Sequence, residues 1–106
     1  MEELIEKAKN NDKRAFSELI ISIEKELYLI AKTKLKSDDD IGDAIQEAIY
    51  KSYKNLRKLR DNSLFKTWII KILINECNNI YKLFIIIINL GQIYCRIGFW
   101  SANVNV

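Results

Sequence analysis

One row of side chains in the middle of the chain has the residue types and spacing to contact another macromolecule. Its members stand at positions i, i+3, i+4 and i+7, which places them on one helix face: Asp43, Gln46, Glu47 and Tyr50. Such a row of carboxylate, amide and phenol groups either keeps a helix face in water or docks on a basic partner. The spacing alone leaves both alternatives open.

A basic block begins directly after this acidic row. Residues 51–71 contain seven lysines and arginines against a single acidic residue, Asp61. Lysine and arginine neutralise phosphates and aromatic rings stack on unpaired bases, so the block suits single-stranded nucleic acid. The aromatic residues in and beside it are Tyr50, Tyr53, Phe65 and Trp68. Phe65 and Trp68 also fit an apolar helix stripe, and core packing is the alternative for these two rings.

A second polar row follows the basic block on the predicted last helix. It consists of Lys71, Asn75, Asn78, Asn79 and Lys82. An asparagine amide both donates and accepts hydrogen bonds, so a row of them can read base edges.

The composition removes most enzyme chemistry. The chain has no histidine and three scattered glycines, which excludes histidine-based triads, histidine-ligated metals and glycine-rich phosphate loops. The run Asp38–Asp40 suits the start of a helix better than a metal site, because it lacks the spacing of a calcium loop. We therefore expect no catalytic activity, no cofactor and no metal.

The cysteines and the N-terminus indicate the compartment. Cys77 and Cys95 have no ligand-like spacing, and nothing at the N-terminus resembles a signal peptide. We expect a reduced, cytoplasmic protein in which Cys77 is a buried structural thiol.

Apolar residues at helical spacing predict an all-α fold with four helices and no convincing strand. The first helix covers residues 1–9, and Asn11 or Asp12 caps a second that reaches Leu35. The third runs from caps at 37–40 to Leu59, and the fourth covers 63–82.

The last 24 residues, 83–106, form an atypical apolar tail with one charge, Arg96. Within it, residues 84–88 fit either a strand or a continuation of the fourth helix, and we favour the helix. Asn89, Gln92, Arg96 and two glycines interrupt the tail, whereas a membrane span needs about 20 mainly apolar residues. We expect no membrane contact.

Two linked segments carry a resemblance to a known family. They are DAIQEAIYKSYKNL at 43–56 and SLFKTWIIKILIN at 63–75, with AFSEL at 15–19 upstream. The chain from 1 to 82 resembles region 2 of bacterial sigma-70-type factors, especially the extracytoplasmic-function (ECF) group. The remaining residues, 83–106, do not continue the resemblance.

The resemblance implies a compact four-helix domain that initiates transcription and recognises and melts the promoter −10 element as single-stranded DNA. Core RNA polymerase would be bound through a coiled coil of its largest catalytic subunit by Asp43, Gln46, Glu47 and Tyr50. The residues expected to contact promoter DNA and a flipped base are Lys58, Arg60, Asn62, Ser63, Lys66, Lys71, Asn75, Asn78 and Asn79. The resemblance also implies an anti-sigma factor as a further partner.

The sequence also departs from the family pattern. Gly42 stands where an acidic residue is usual, Asn78 or Asn79 where an aspartate is frequent, and the arginines expected just beyond Tyr81 are missing. No pattern for region 4, the domain that reads the −35 element, follows residue 82. The tail looks like sequence read in another frame or truncated and joined from elsewhere.

Two other interpretations of the chain remain open at this point. One is a helical protein-interaction module, and the other is a non-functional truncated sigma remnant. In either case the tail would pack on the domain or drive self-association. A weaker third interpretation takes the tail as a membrane anchor.

Overall fold

The computed structural model describes residues 1–97, and among these the side chains of all but Phe84 and residues 91–97. Within this range the chain forms four α-helices and no strand, which confirms the predicted all-α fold. Two short 3₁₀ helices, Leu56–Lys58 and Asn62–Leu64, connect the third helix to the fourth. The helices are α1 (Glu2–Lys9), α2 (Lys13–Lys34), α3 (Asp38–Asn55) and α4 (Phe65–Ile97).

The starts of α2 and α3 are set by side-chain caps. Asp12 accepts a hydrogen bond from the Ala15 backbone N–H at 3.1 Å, so Asp12 is the cap of α2. Asn11 instead makes the preceding turn with φ of 73°, a left-handed conformation that asparagine tolerates. Ser37 accepts a hydrogen bond from the Asp40 N–H at 3.0 Å and caps α3, as expected.

The third helix ends earlier than predicted. It stops at Asn55, and a 3₁₀ turn carries the chain through Lys58. With three residues per turn, this tighter helix places Leu56 and Leu59 on the same side, and both are buried. The predicted apolar stripe therefore continues to Leu59, although the α-helix does not.

The core lies where α4 packs against α3 and α2, and where α1 packs against α2. All four helices contribute to it. The small residues Ala44 and Ala48 of α3 are fully buried, which lets this helix approach its neighbours closely. Cys77 is also fully buried, as predicted, and burial raises the pKa of its thiol. Fully buried core residues on α2 and α4 include Leu19, Leu27, Phe65, Ile69 and Leu73.

The fourth helix extends beyond its predicted end at Lys82, as far as Ile97. Residues 84–88 are helical, which confirms the continuation favoured over a strand. The molecule is consequently elongated, with dimensions of 61 × 23 × 22 Å. The part of the tail from 98 to 106 lies outside the described residues.

One segment of the described residues, Asn62–Leu90, is long and apolar enough to cross a membrane by length and composition. In the first half of this segment, one side of the helix packs in the core. The second half is exposed. The expectation of no membrane contact stays a prediction.

The core packing predicts how shortening a buried side chain of α4 affects the free energy of unfolding. We expect Leu73→Ala to lower the free energy of unfolding by about 2–5 kcal/mol, because it leaves a cavity at a fully buried position. Leu29→Ala is the matched control, since Leu29 is 53% exposed and its truncation should cost less than about 0.5 kcal/mol. Urea unfolding followed by circular dichroism measures both, and equal losses would contradict the assigned core.

Candidate functional site

The acidic row lies on the outer side of α3. Asp43, Gln46, Glu47 and Tyr50 are all exposed, whereas the buried residues of α3 occupy its other side. Tyr50 is 57% exposed, and the Lys54 ammonium lies 6.0 Å from its ring centroid. The four predicted side chains therefore form one continuous accessible surface.

Gly42, at the edge of this row, does not interrupt the helix. A Cβ atom added there would meet nothing within 4 Å. The missing acidic group thus removes a charge from the row without changing the backbone that presents the remaining side chains.

An ion pair joins α3 to α4 behind the row. The Lys51 ammonium donates a hydrogen bond to the Glu76 carboxylate, which is only 9% exposed. This hydrogen bond raises the pKa of Lys51, and the nearby charges of Glu76 and Glu47 act in the same direction. Lys51 therefore stays charged at neutral pH and fixes the two helices relative to each other.

The same pair lines a cleft of about 440 Å³ between α3 and α4. Three of the residues predicted to bind DNA meet here: Lys58, Lys71 and Asn75. The other lining residues are Lys51, Asn55, Trp68, Ile72 and Glu76. The cleft combines three ammonium groups with amide groups on both walls and an indole ring.

The loop between α3 and α4 contacts α1, and of its residues Lys58 lines the cleft. Asn62 accepts a hydrogen bond from the Lys9 ammonium at 2.5 Å and donates one to Glu6 at 2.9 Å. Lys9 also donates to the Leu59 carbonyl at 2.6 Å, so α1 holds the loop from both ends.

Two more of the predicted DNA-binding side chains have partners within the chain. The Ser63 hydroxyl donates a hydrogen bond to Asp61 at 2.6 Å. The Lys66 ammonium lies 2.5 Å from the Glu26 carboxylate of α2, with both side chains 46% exposed. Arg60 is exposed in the middle of the loop, and Asn78 and Asn79 are exposed on α4 beyond the cleft. The structure thus separates the predicted DNA-binding residues into three groups. The cleft group is Lys58, Lys71 and Asn75; the loop group, in or beside the loop, is Arg60, Asn62, Ser63 and Lys66; and the distal α4 group is Asn78 and Asn79.

The aromatic residues of the basic block lie in different environments. Phe65 is fully buried and belongs to the core, so the core alternative is correct for this ring. Trp68 packs against the core and lines the cleft. Tyr53 is 44% exposed and makes an edge-to-face contact with Phe16, with ring centroids 5.0 Å apart.

Comparison with known proteins identifies the domain. Residues 19–82 match the family described as Sigma-70 region 2, and they make up more than half of the chain. The chain belongs to the Sigma-70 region 2 family. This confirms the resemblance carried by the two linked segments.

The proteins to which this chain is similar include sigma factors of the ECF group. It is 32% identical over 76 residues to the ECF RNA polymerase sigma-E factor of Haemophilus influenzae, covering 72% of this chain and 40% of that protein. It is 30% identical over 76 residues to the sigma-E factor of Escherichia coli K12, covering 72% and 39%. It is 31% identical over 78 residues to the RNA polymerase sigma-H factor of Pseudomonas aeruginosa, covering 74% and 40%. The match spans about two fifths of the length of these curated relatives.

A solved structure has the same fold. It is an engineered region 2 of sigmaE in complex with GTAAAA, with a TM-score of 0.71 and 25% sequence identity. The similarity covers 77% of this chain and 85% of that one. The four-helix sigma region 2 architecture is therefore shown for this chain.

The sequence pattern placed Lys51 in the basic block but gave no role in binding to Asn55, Ile72 and Glu76, which also line the cleft. Lys51 and Asn55 stand four residues apart on α3, just as Lys71 and Asn75 do on α4. This repeated Lys-x-x-x-Asn spacing was the available signal, because each pair occupies one helix face. Glu76 carried no such signal, since only the packing of α3 against α4 brings it to Lys51.

The loop of this region 2 predicts a pH-dependent contribution to stability. Hydrogen bonds from the Ser63 hydroxyl and backbone N–H lower the pKa of Asp61 below its ordinary value of 3.8. The stabilisation by the ionised carboxylate is therefore complete above pH 3.8 and is lost as the pH falls through the lowered pKa.

We expect wild type to be more stable than Asp61→Asn at about pH 6, and the difference to shrink at about pH 2.5. Urea unfolding at both pH values measures it. The other carboxylates titrate in both proteins, so the difference between the two isolates Asp61. A difference that does not change with pH would contradict the assigned hydrogen bonds.

Proposed function

We propose that this chain acts in transcription initiation, binding core RNA polymerase through the acidic row of α3 and promoter DNA through the cleft between α3 and α4. The observation that carries the proposal is the arrangement of opposite charges around α3. At 100° per residue, the acidic row and the Lys51–Asn55 wall of the cleft are centred about 100° apart on the same helix. One rigid helix thus presents an acidic surface and a basic surface to two different partners.

The acidic row suits a basic helical partner. Asp43 and Glu47 are exposed carboxylates, and Gln46 and Tyr50 add hydrogen-bonding groups between and beside them. Complementary charge steers association and fixes the orientation of a complex. We infer that the partner is the coiled coil of the largest catalytic subunit of polymerase, as expected from the family.

The cleft suits one unpaired nucleotide of the promoter −10 element. Lys58 and Lys71 line the cleft and suit phosphates, whereas the Lys51 ammonium is already paired with Glu76, and Asn75 suits a base edge. Trp68 lines the cleft and offers an apolar surface for the base. Extruding a base costs a few kcal/mol, which the contacts of such a pocket offset. The sigmaE relative in complex with GTAAAA supports this proposal.

The loop group contributes to DNA binding mainly by fixing the position of the loop backbone. Asn62, Ser63 and Lys66 already have partners within the chain, so DNA contact by their side chains requires exchange of these partners. Arg60, Asn78 and Asn79 are exposed and extend the basic and polar surface on either side of the cleft. A protein with this role works in the cytoplasm without catalysis of its own, and an anti-sigma factor would compete for the same surfaces.

The proposed polymerase contact is tested by charge reversal. We expect Asp43→Lys and Glu47→Lys to reduce retention of the protein on immobilised core RNA polymerase by more than tenfold, because they place like charges across the interface. Glu24→Lys is the control, since Glu24 is an exposed carboxylate on α2. Unchanged retention of the α3 variants, or equal loss with Glu24→Lys, would contradict the assignment.

The proposed DNA contact is tested by its salt dependence. Binding of a fluorescent single-stranded GTAAAA oligonucleotide, measured by anisotropy in the presence of core polymerase, should weaken with salt by about 0.7 log units per phosphate neutralised. Lys71→Ala should reduce the slope by about 0.7, whereas the control Lys25→Ala on α2 should leave it unchanged. Binding that does not depend on salt would argue against the cleft as a phosphate-contacting site.

A further inference from the structure

The basic loop between α3 and α4 is tied by hydrogen bonds to α1 and to the turn that follows it. The Lys9 ammonium donates to the Leu59 carbonyl at 2.6 Å and to the Asn62 amide oxygen at 2.5 Å. In the opposite direction, the Arg57 guanidinium donates to the Lys9 carbonyl at 3.2 Å and to the Asn11 amide oxygen at 3.3 Å. Lys9 takes part in three of these four contacts.

The tied residues flank the loop lysine that lines the cleft. Arg57 precedes Lys58 and Leu59 follows it, so α1 holds the chain on both sides of this residue. The segment is also a 3₁₀ turn, in which the Leu59 N–H donates to the Leu56 carbonyl at 3.1 Å. Because its neighbours are fixed, the Lys58 backbone has little freedom, and its side chain lines the cleft together with Lys71.

The helix that holds this segment is itself anchored. Ile5 and Ala8 of α1 are 1% and 7% exposed and belong to the core. The helix packs on α2 and contacts both 3₁₀ helices of the loop. Lys9 is half-buried at its end, and two of its three ammonium hydrogens are donated to the loop. A lysine engaged in this way supports the loop rather than offering a free charge to a phosphate.

Electrostatic repulsion within the cleft makes such support useful. Lys51 is paired with Glu76, but Lys58 and Lys71 line the same cleft, and like charges repel each other. This repulsion favours loop conformations that carry Lys58 away from Lys71. A backbone that is fixed before DNA binds opposes them, and it also lowers the entropy cost of ordering the loop in the complex.

We propose that Lys9 is a positioning residue for DNA binding, which holds the backbone beside Lys58 against α1 and thereby keeps Lys58 in the cleft. The inference rests on the DNA contact proposed for the cleft. It adds to that site a residue of α1, a helix outside the residues 19–82 that match the family. Lys9 touches no DNA in this role, so its effect on binding passes through Lys58.

A phosphate contact made by Lys9 itself is the alternative, and a double-mutant cycle separates the two roles. Binding of the fluorescent GTAAAA oligonucleotide is measured by anisotropy in the presence of core polymerase. We expect Lys9→Met to weaken binding by about three- to tenfold in the otherwise wild-type chain, but by less than about 1.5-fold when Lys58 is already replaced by alanine, because residues that act through one contact are not additive.

Lys7→Met is the matched control for the loss of charge. Lys7 is an exposed lysine on the same last turn of α1. Its removal changes the net charge equally and should leave binding within about 1.5-fold, since exposed charges away from the contact are screened by salt.

Hydrogen exchange of the free protein supplies a readout that does not involve DNA. We expect Lys9→Met to speed exchange of the backbone amides of residues 57–64 by about fivefold or more, while the amides of Ile69 and Leu73 in the core exchange as in wild type. Faster exchange in the core as well would mean a general loss of stability and would overturn the positioning role.

The binding outcomes separate this inference from the proposed function. Equal fold losses from Lys9→Met with and without Lys58 would assign a phosphate contact to Lys9 and overturn the positioning role. Wild-type binding that Lys9→Met leaves unchanged would likewise overturn the role of Lys9 alone. A wild-type chain that does not bind the oligonucleotide would overturn the DNA contact at the cleft.

Discussion

The burial of one face of α4 against the other helices is the constraint on which the rest of this structure depends. Phe65, Ile69, Leu73 and Cys77 are fully buried along this face. Because the helix is held along three successive turns, it has little freedom to rotate or slide. The cleft, the loop anchored by α1 and the extension beyond Lys82 all derive their positions from this single packed element.

The Lys51–Glu76 pair adds specificity to that packing. Removing two charges from water is costly, and a buried pair often contributes little net stability compared with an apolar pair. The Glu76 side chain is only 9% exposed, and one register of α3 against α4 brings its carboxylate to the Lys51 ammonium. The pair therefore selects the helix arrangement in which Lys58, Lys71 and Asn75 converge.

Periodicity and capping residues predicted the four helices, because these signals are local. Asp12, one of two predicted candidates, caps α2, and Ser37, within the predicted capping segment 37–40, caps α3. The partners of Asn62 and Lys66 were not predictable in the same way. Lys9 and Asn62 are 53 residues apart, and only the tertiary packing of α1 on the loop brings their side chains into contact.

The site was predicted in part for the same reason. Exposure of the acidic row follows from spacing alone, and the structure bears it out. Membership of the cleft depends on which sides of α3 and α4 face each other, so the sequence alone did not separate Lys58, Lys71 and Asn75 from the loop residues. Phe65 was ambiguous, because an aromatic residue on an apolar stripe beside lysines fits both a core and a stacking surface.

The hydrogen bonds from Lys9 to Leu59 and Asn62 have a consequence for the order in which the chain acquires its shape. During synthesis α1 leaves the ribosome before the loop, and its lysine finds these partners only after about fifty further residues have been added. The loop that precedes α4 is thus positioned by a segment of the nascent chain that was made earlier. A ribosome that pauses within α3 holds a protein whose helices have begun to form but whose basic loop has as yet no defined geometry.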